Sequence, residues 1–397
     1  MTSTQADIRP RTAAFLMLLI VAIGLTLRLW GVNFDEGLGM QPHPDERSTA
    51  CNYAPSIALP ATWEEFVDPH QSPLNPLWDR FRQERRSFTY GHFPLYLGVA
   101  MGEGLHRLAS TAEAIGAPEV VVKLMTNANQ PCMGVAVAGR LTIALLDTLT
   151  IVLLYYLGKR LYGRGAGILT AALYAFTAQA VQLSHFFSMD PASTTFTVMA
   201  VLGALIMVQD RSWKGVLVTG IGMGLAVASK FSAIPILAAP IVAAFCILYD
   251  ENRKAHAAQR APDGHAQMIA LGGAAIAILI GILTFFVASP YAVLDWENFL
   301  QATLIDQGQM VRGIADMPFT RQYRNTMPYL YFIEQQVRWG MGPALGVVAL
   351  LGATWGLARL VLTLAQLVRG HVVAGDRMGE LLVWAWLIPY FGLTGAF

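Results

Sequence analysis

The stretch AAFLMLLIVAIGLTLRLWGV, Ala13–Val32, decides how the rest of the chain is read. It carries no charge before Arg28 and is long enough to cross a bilayer, which takes roughly 20 apolar residues. Arg9 and Arg11 precede it, as in a signal peptide, but Arg28, Leu29 and Trp30 follow where a small-residue cleavage site would stand. A signal anchor retained as the first span is the better reading. Similar runs recur at Gly134–Leu157, Gly165–Leu183, Thr194–Val208, Gly215–Ala228, Ala233–Tyr249, Met268–Ala288, Pro343–Leu364 and Leu381–Phe397, making nine candidates with a short fourth and fifth.

Composition agrees with a polytopic membrane protein. The chain is 55% hydrophobic and 13% charged, against about 25% charged in a soluble domain, and its mean hydropathy is +0.47. A net charge of +1 gives nucleic-acid binding no electrostatic support. Cys51, Cys132 and Cys246 have neither metal-ligand spacing nor the pattern of a disulfide framework. A Cys51–Cys132 bond is an open but less favoured alternative.

Short loops rich in Lys and Arg mark the cytoplasmic side. Arg9/Arg11, Lys159/Arg160/Arg164, Arg211/Lys214 and Arg253/Lys254/Arg260 alternate with loops that lack such clusters. The N-terminus is then inside, and the segments 33–133, 184–193 and 290–341 lie outside. Within the first of these, His92–Leu108 (HFPLYLGVAMGEGLHRL) is apolar but carries Glu103, His106 and Arg107. It reads as an interfacial helix, because a tenth span there would invert the charge pattern downstream.

The first outer segment opens with MQPHPDERSTA, Met40–Ala50. Asp45 and Glu46 are either solvated loop acids or a functional pair. Their closeness to a span end, the stiffening Pro42 and Pro44, and a second acid on the same side favour function. That second acid is Asp190, in SHFFSMDPASTTF; Pro191 after it equally fits a plain helix cap. Two carboxylates at one face can divide labour, one taking a proton and the other holding a metal or a cation. Lys230, between two spans, is a candidate phosphate partner or a snorkelling end residue. In the second span, Arg140 near the outer face could meet an anionic lipid head, while Asp147 needs a partner on another helix. The arginines and aromatic residues of 290–341 read mostly as an interfacial belt, with a sugar or anion surface as the alternative. ATP-binding, dinucleotide, zinc-protease and serine-hydrolase motifs are absent.

Three elements together resemble a known family: HPDE at His43–Glu46, HFPL at His92–Leu95, and YYLGKRLYGRGAG followed by SHFFSMD. They look like the membrane-embedded glycosyltransferases of the GT-C class. The group they are most similar to is the protein O-mannosyltransferase-like (family 39) enzymes, with the bacterial aminoarabinose lipid A transferases as relatives. Phe93 stands where the family commonly has proline, and the family commonly has more spans.

The resemblance implies an all-α, GT-C type helical bundle, a single transferase domain over 1–397 with interfacial helices in its outer loops. The chain stops within an apolar run, as expected of one with a further C-terminal part. The implied donor is a polyprenyl-phosphate-linked sugar, and the acceptor a protein, lipid or glycan. Transfer is expected on the outer face of the plasma (inner) membrane, with inversion. Asp45 would be the general base, supported by Glu46, and Asp190 would orient the acceptor or a divalent metal, Mg or Mn, with Asp45. His43, His92, Arg140, His185 and Lys230 would line the substrate site, His92 and Lys230 at the phosphate. A multi-span transporter or flippase is the alternative; it would need ionisable residues near the midplane and repeat symmetry, and no repeat is evident.

Overall fold

The computed structural model describes residues 8–38, 41, 43–371 and 373–396. Met40 and Pro42 of the acidic stretch, and Phe397 at the end of the ninth run, lie outside the described residues. The chain is an all-α polytopic membrane protein. In chain order its main helices are α1 (Pro10–Leu29), the short α2 (Pro44–Ser48), α3 (Phe93–Ala114), α4 (Met133–Tyr162), α5 (Arg164–Ala175), α6 (Ala178–Ser184), α7 (Asp190–Asp210), α8 (Trp213–Ser229), α9 (Ala238–Ala257), α10 (Gly273–Ala288), α11 (Pro343–Val368) and α12 (Gly375–Thr394).

All nine apolar runs are helical, but among the described residues only six helices are long and apolar enough to cross a membrane alone, or seven counting a bent pair. The other runs fall short for separate reasons. The third breaks into α5 and α6, bent by 58°. α8 has 17 residues, about 26 Å at 1.5 Å per residue, against a hydrocarbon core of about 30 Å. α12 begins with Asp376, Arg377 and Glu380 and contains Pro389.

Small residues let α7, α8 and α10 touch at the backbone. A Cβ on Gly203 would lie 2.4 Å from the Thr219 nitrogen, and one on Gly222 would lie 2.6 Å from the Ala200 nitrogen. In lipid, where apolar burial between helices gains little, close backbone packing of this kind drives association. Gly222→Leu should therefore force α7 and α8 apart and lower the melting temperature in detergent, at a cost of at least the ~1–3 kcal/mol of an overpacked core. An unchanged melting curve would show the contact to be dispensable.

Asp147 finds the partner its position demands. Arg28 Nε donates to it at 2.5 Å, and the Tyr174 hydroxyl donates to its other oxygen. This joins α1, α4 and α5 through a buried neutral pair. At the opposite end from the acidic stretch, ion pairs tie helix ends together: Arg160–Asp210, Arg211–Asp250 and Arg359 with Asp376 and Glu380.

The two long polar segments fold onto each other. The first holds a small hairpin, β1 (Trp78–Asp79) paired antiparallel with β2 (Glu84–Arg85). Asn75 donates to Asp295 at 2.8 Å, Arg85 pairs with Asp306 at 2.7 Å, and the buried Tyr291 hydroxyl donates to the Phe66 carbonyl at 2.9 Å. α3 runs to Ala114, beyond the expected Leu108, and packs on α4. Cys51 and Cys132 are joined in a disulfide, the less favoured of the two readings, because the turn after α2 and the start of α4 bring their Cα atoms to 4.2 Å. Within the second segment Asp316 binds both Arg321 and Arg324, and Arg338 pairs with Glu334. Those arginines are held locally rather than presented as an anion surface.

Candidate active site

The HPDE motif forms α2, and its local geometry decides what each residue can do. His43 is the N-cap: its Nδ1 accepts from the Glu46 amide at 3.4 Å, while its ring stacks on Phe186 at 4.4 Å. Pro44 takes a first-turn position, where a missing N–H is harmless. Consecutive helical residues point about 100° apart, so Asp45 and Glu46 cannot face the same way. Glu46 is fully buried and Asp45 is half-buried.

Glu46 does not sit beside a substrate. Arg140 donates Nε and Nη2 to its two oxygens, each at 2.7 Å, and the Phe187 amide donates to Oε1 at 2.8 Å. Arg140 also holds Asp35 with two bonds of 2.7 and 2.6 Å and the Val32 carbonyl at 2.9 Å. All of its guanidinium N–H groups are thereby engaged, and it is 0% exposed. The lipid-head contact expected of Arg140 is corrected: the side chain has no donor left to offer. It fastens α2, the end of the first span and the loop before α7 around one charge.

Two histidines are likewise corrected. His92 is 0% exposed, with its ring among Phe88, Tyr96, Tyr291 and Phe299. Burial pushes its pKa down to about 3. It is neutral at working pH, and its buried Nε2 has no partner among the described residues. His185 has both ring nitrogens on backbone carbonyls, Val181 at 2.7 Å and Trp30 at 2.8 Å. It joins α6 to the end of α1.

Asp190 is the first residue of α7, yet its side chain caps nothing. It pairs with Lys230 at 2.6 Å. Lys230 stands in extended backbone at the break after α8. Burial lowers its pKa, but the Asp190 charge and hydrogen bond outweigh this and leave it raised. The loop 89–92 is pressed against this break: the Gly91 amide donates to the Ser229 carbonyl at 3.1 Å, and a Cβ on Gly91 would lie 1.9 Å from the Ala228 oxygen. Only glycine fits there, and it brings Tyr90 to the acids. Burial, then the nearby Asp45 charge, raise the pKa of Tyr90 and keep it a phenol. Asp45 and Asp190 both lie within electrostatic reach of Tyr90 and of Lys230.

Asp190 and Lys230 form the mouth of a groove of about 300 Å³. The walls are mainly apolar, with Leu154 and Leu157 of α4, Val198 and Val201 of α7, and Val383 and Leu387 of α12, but Ser193, Thr194 and Thr197 of α7 also line them. Tyr390 completes the mouth, stacked on Trp386. Sequence reasoning missed Asp35, Tyr90 and Tyr390. Tyr90 had a signal, standing two residues before HFPL; the other two had none.

A divalent metal does not fit these residues well. Among the described residues no three His, Cys, Asp or Glu side chains converge, and the Lys230 ammonium occupies the place beside Asp190 that a cation would take.

The helices long and apolar enough to span a membrane carry the Asp190–Lys230 ion pair at the mouth of a largely aliphatic groove. Residues 132–290 match the family model for dolichyl-phosphate-mannose-protein mannosyltransferase. That segment contains Arg140, Asp190 and Lys230; Asp45 precedes it. The match supports the GT-C class of membrane glycosyltransferases that the motifs resemble. No curated protein matches the chain in sequence. Among solved structures the chain is similar to the Archaeoglobus fulgidus oligosaccharyltransferase in complex with zinc and sulfate, at 15% identity and a TM-score of 0.49, over 96% of this chain and 46% of that one. It is also similar to that enzyme tethered by a disulfide to an acceptor peptide containing the NVT sequon, at 15% identity and a TM-score of 0.47, over 98% of this chain and 47% of that one. The chain spans about half the length of these structures.

Proposed function

We propose that the protein transfers a sugar from a polyprenyl-phosphate carrier to an acceptor on the outer face of the membrane, with inversion at the sugar carbon. The observation that carries this reading is the apolar groove ending in Lys230 and Asp190, with Asp45 close by. An isoprenoid tail fits the aliphatic walls, and the phosphate meets Lys230 where they end. The scissile bond then lies at the boundary, with the sugar in the polar space under Tyr90 and Asp45.

Asp45 takes the acceptor hydroxyl's proton as the acceptor oxygen attacks the anomeric carbon. The bond from that carbon to the phosphate oxygen breaks, and its electron pair leaves on the phosphate. Phosphate is a stable leaving anion, so the site needs one base and a cation rather than matched acid and base. Lys230 offsets the charge that develops. Glu46 and Arg140 position the helix that carries Asp45. A disulfide between Cys51 and Cys132 supports the outer-face placement, since such bonds persist in oxidising compartments. The transporter reading loses support because Asp147, deep in its span, is neutralised by Arg28.

The test is sugar transfer by purified protein in detergent, with polyprenyl-phosphate sugars as donors and peptide, lipid and glycan acceptors. Transfer from any such donor upholds the reading. Absence of binding to every polyprenyl phosphate refutes it.

A further inference from the structure

We propose that the Lys230–Asp190 ion pair is a latch opened by the donor phosphate, so that Asp190 becomes available to the acceptor only after the donor has bound. The inference rests on the groove being the carrier site. Among the described residues Asp190 and Lys230 are the only charged ones lining the groove, 2.6 Å apart and 39% and 34% exposed. A phosphate arriving at the mouth therefore meets one cation already committed to one carboxylate. Phosphate and carboxylate cannot share that space without strong repulsion at low dielectric. The ammonium must turn to the phosphate for the donor to seat.

The chemistry of the two cations in this region makes the exchange plausible at Lys230 and not at Arg140. Arg140 is buried and holds its carboxylates through a rigid fork of several bonds. Lys230 holds Asp190 through one hydrogen bond of 2.6 Å, on a flexible stem with three rotatable donors. Its backbone is extended and its side chain is 34% exposed. No proton moves and no covalent bond changes in the exchange. Asp190, once released, faces the same space as Asp45 and can accept from the acceptor's donor groups. Donor-before-acceptor binding follows.

Sugar-free polyprenyl phosphate in detergent is the probe, titrated against wild type, Asp190→Asn, Asp190→Ala and Lys230→Met, with a melting curve for each. A latch predicts that both Asp190 variants bind the lipid more tightly, on the order of ten-fold, because the competing carboxylate is gone. Lys230→Met should bind more weakly by a similar factor. If Asp190 is only a strut that positions Lys230, both Asp190 variants bind less tightly or as wild type does, and the latch is overturned while the carrier site stands. If wild type itself fails to bind the lipid, the carrier reading falls and the latch with it.

Discussion

Asp45→Asn should abolish most transfer while leaving the donor bound. The amide keeps the size of the side chain, so α2 and its cap are undisturbed. It cannot take a proton. General-base assistance contributes about 10²–10⁴-fold, and loss on that scale in single-turnover transfer, with polyprenyl-phosphate affinity within about two-fold of wild type by the same measure, is the expected result. The split is what identifies the base: a residue that merely held the donor would change affinity instead. Retention of more than about a tenth of the wild-type rate would remove Asp45 from the mechanism, since no general base is worth so little.

Arg140→Met should have the largest effect on the folded state. The guanidinium is the counter-charge for Asp35 and Glu46, both 0% exposed. Removing one partner of a buried pair costs about 3–5 kcal/mol, because the other charge stays buried and unmatched. Here two carboxylates lose their partner. The measurement is the melting temperature and the yield of monodisperse protein in detergent. Arg140→Lys should fail as well, since an ammonium has three donors and no fork for two carboxylates and a carbonyl. Combining Arg140→Met with Asp35→Asn and Glu46→Gln should recover part of the lost stability but not transfer, because the Phe187 amide and α2 would no longer be drawn to one point. A melting curve for Arg140→Met that overlays wild type would show that the cluster holds nothing together.

The positions of the helices were legible in the sequence because hydropathy is a local property: each apolar run from Ala13 onward reports its own burial. Span number was less legible. α8 and the bent α5–α6 pair depend on neighbours that shield short or broken segments, and no window along the chain contains those neighbours. Asp45, Asp190 and Lys230 stood out as charges beside apolar runs; the structure places Asp190 and Lys230 at the groove, with Asp45 outside its lining but within electrostatic reach of Lys230. Glu46, His92 and Arg140 stood out in the same way but are buried, and the half-buried His185 is held between two backbone carbonyls. A charged residue near a span end has the same appearance in sequence whether it faces a ligand or a buried partner, and the partner can lie a hundred residues away, as Glu46 lies from Arg140.

By itself the sequence determined that this is an all-α membrane protein, with its polar chemistry concentrated in a few segments between spans and a motif set resembling GT-C transferases. Those follow from composition and short-range pattern, which the chain carries at every residue. Only the tertiary structure decided which acid of HPDE is buried. One helical step of about 100° separates Asp45 from Glu46, and the buried guanidinium of Arg140 takes the second. That choice leaves Asp45 half-buried and outside the Arg140 cluster, because a buried carboxylate must be paired while a half-exposed one need not be.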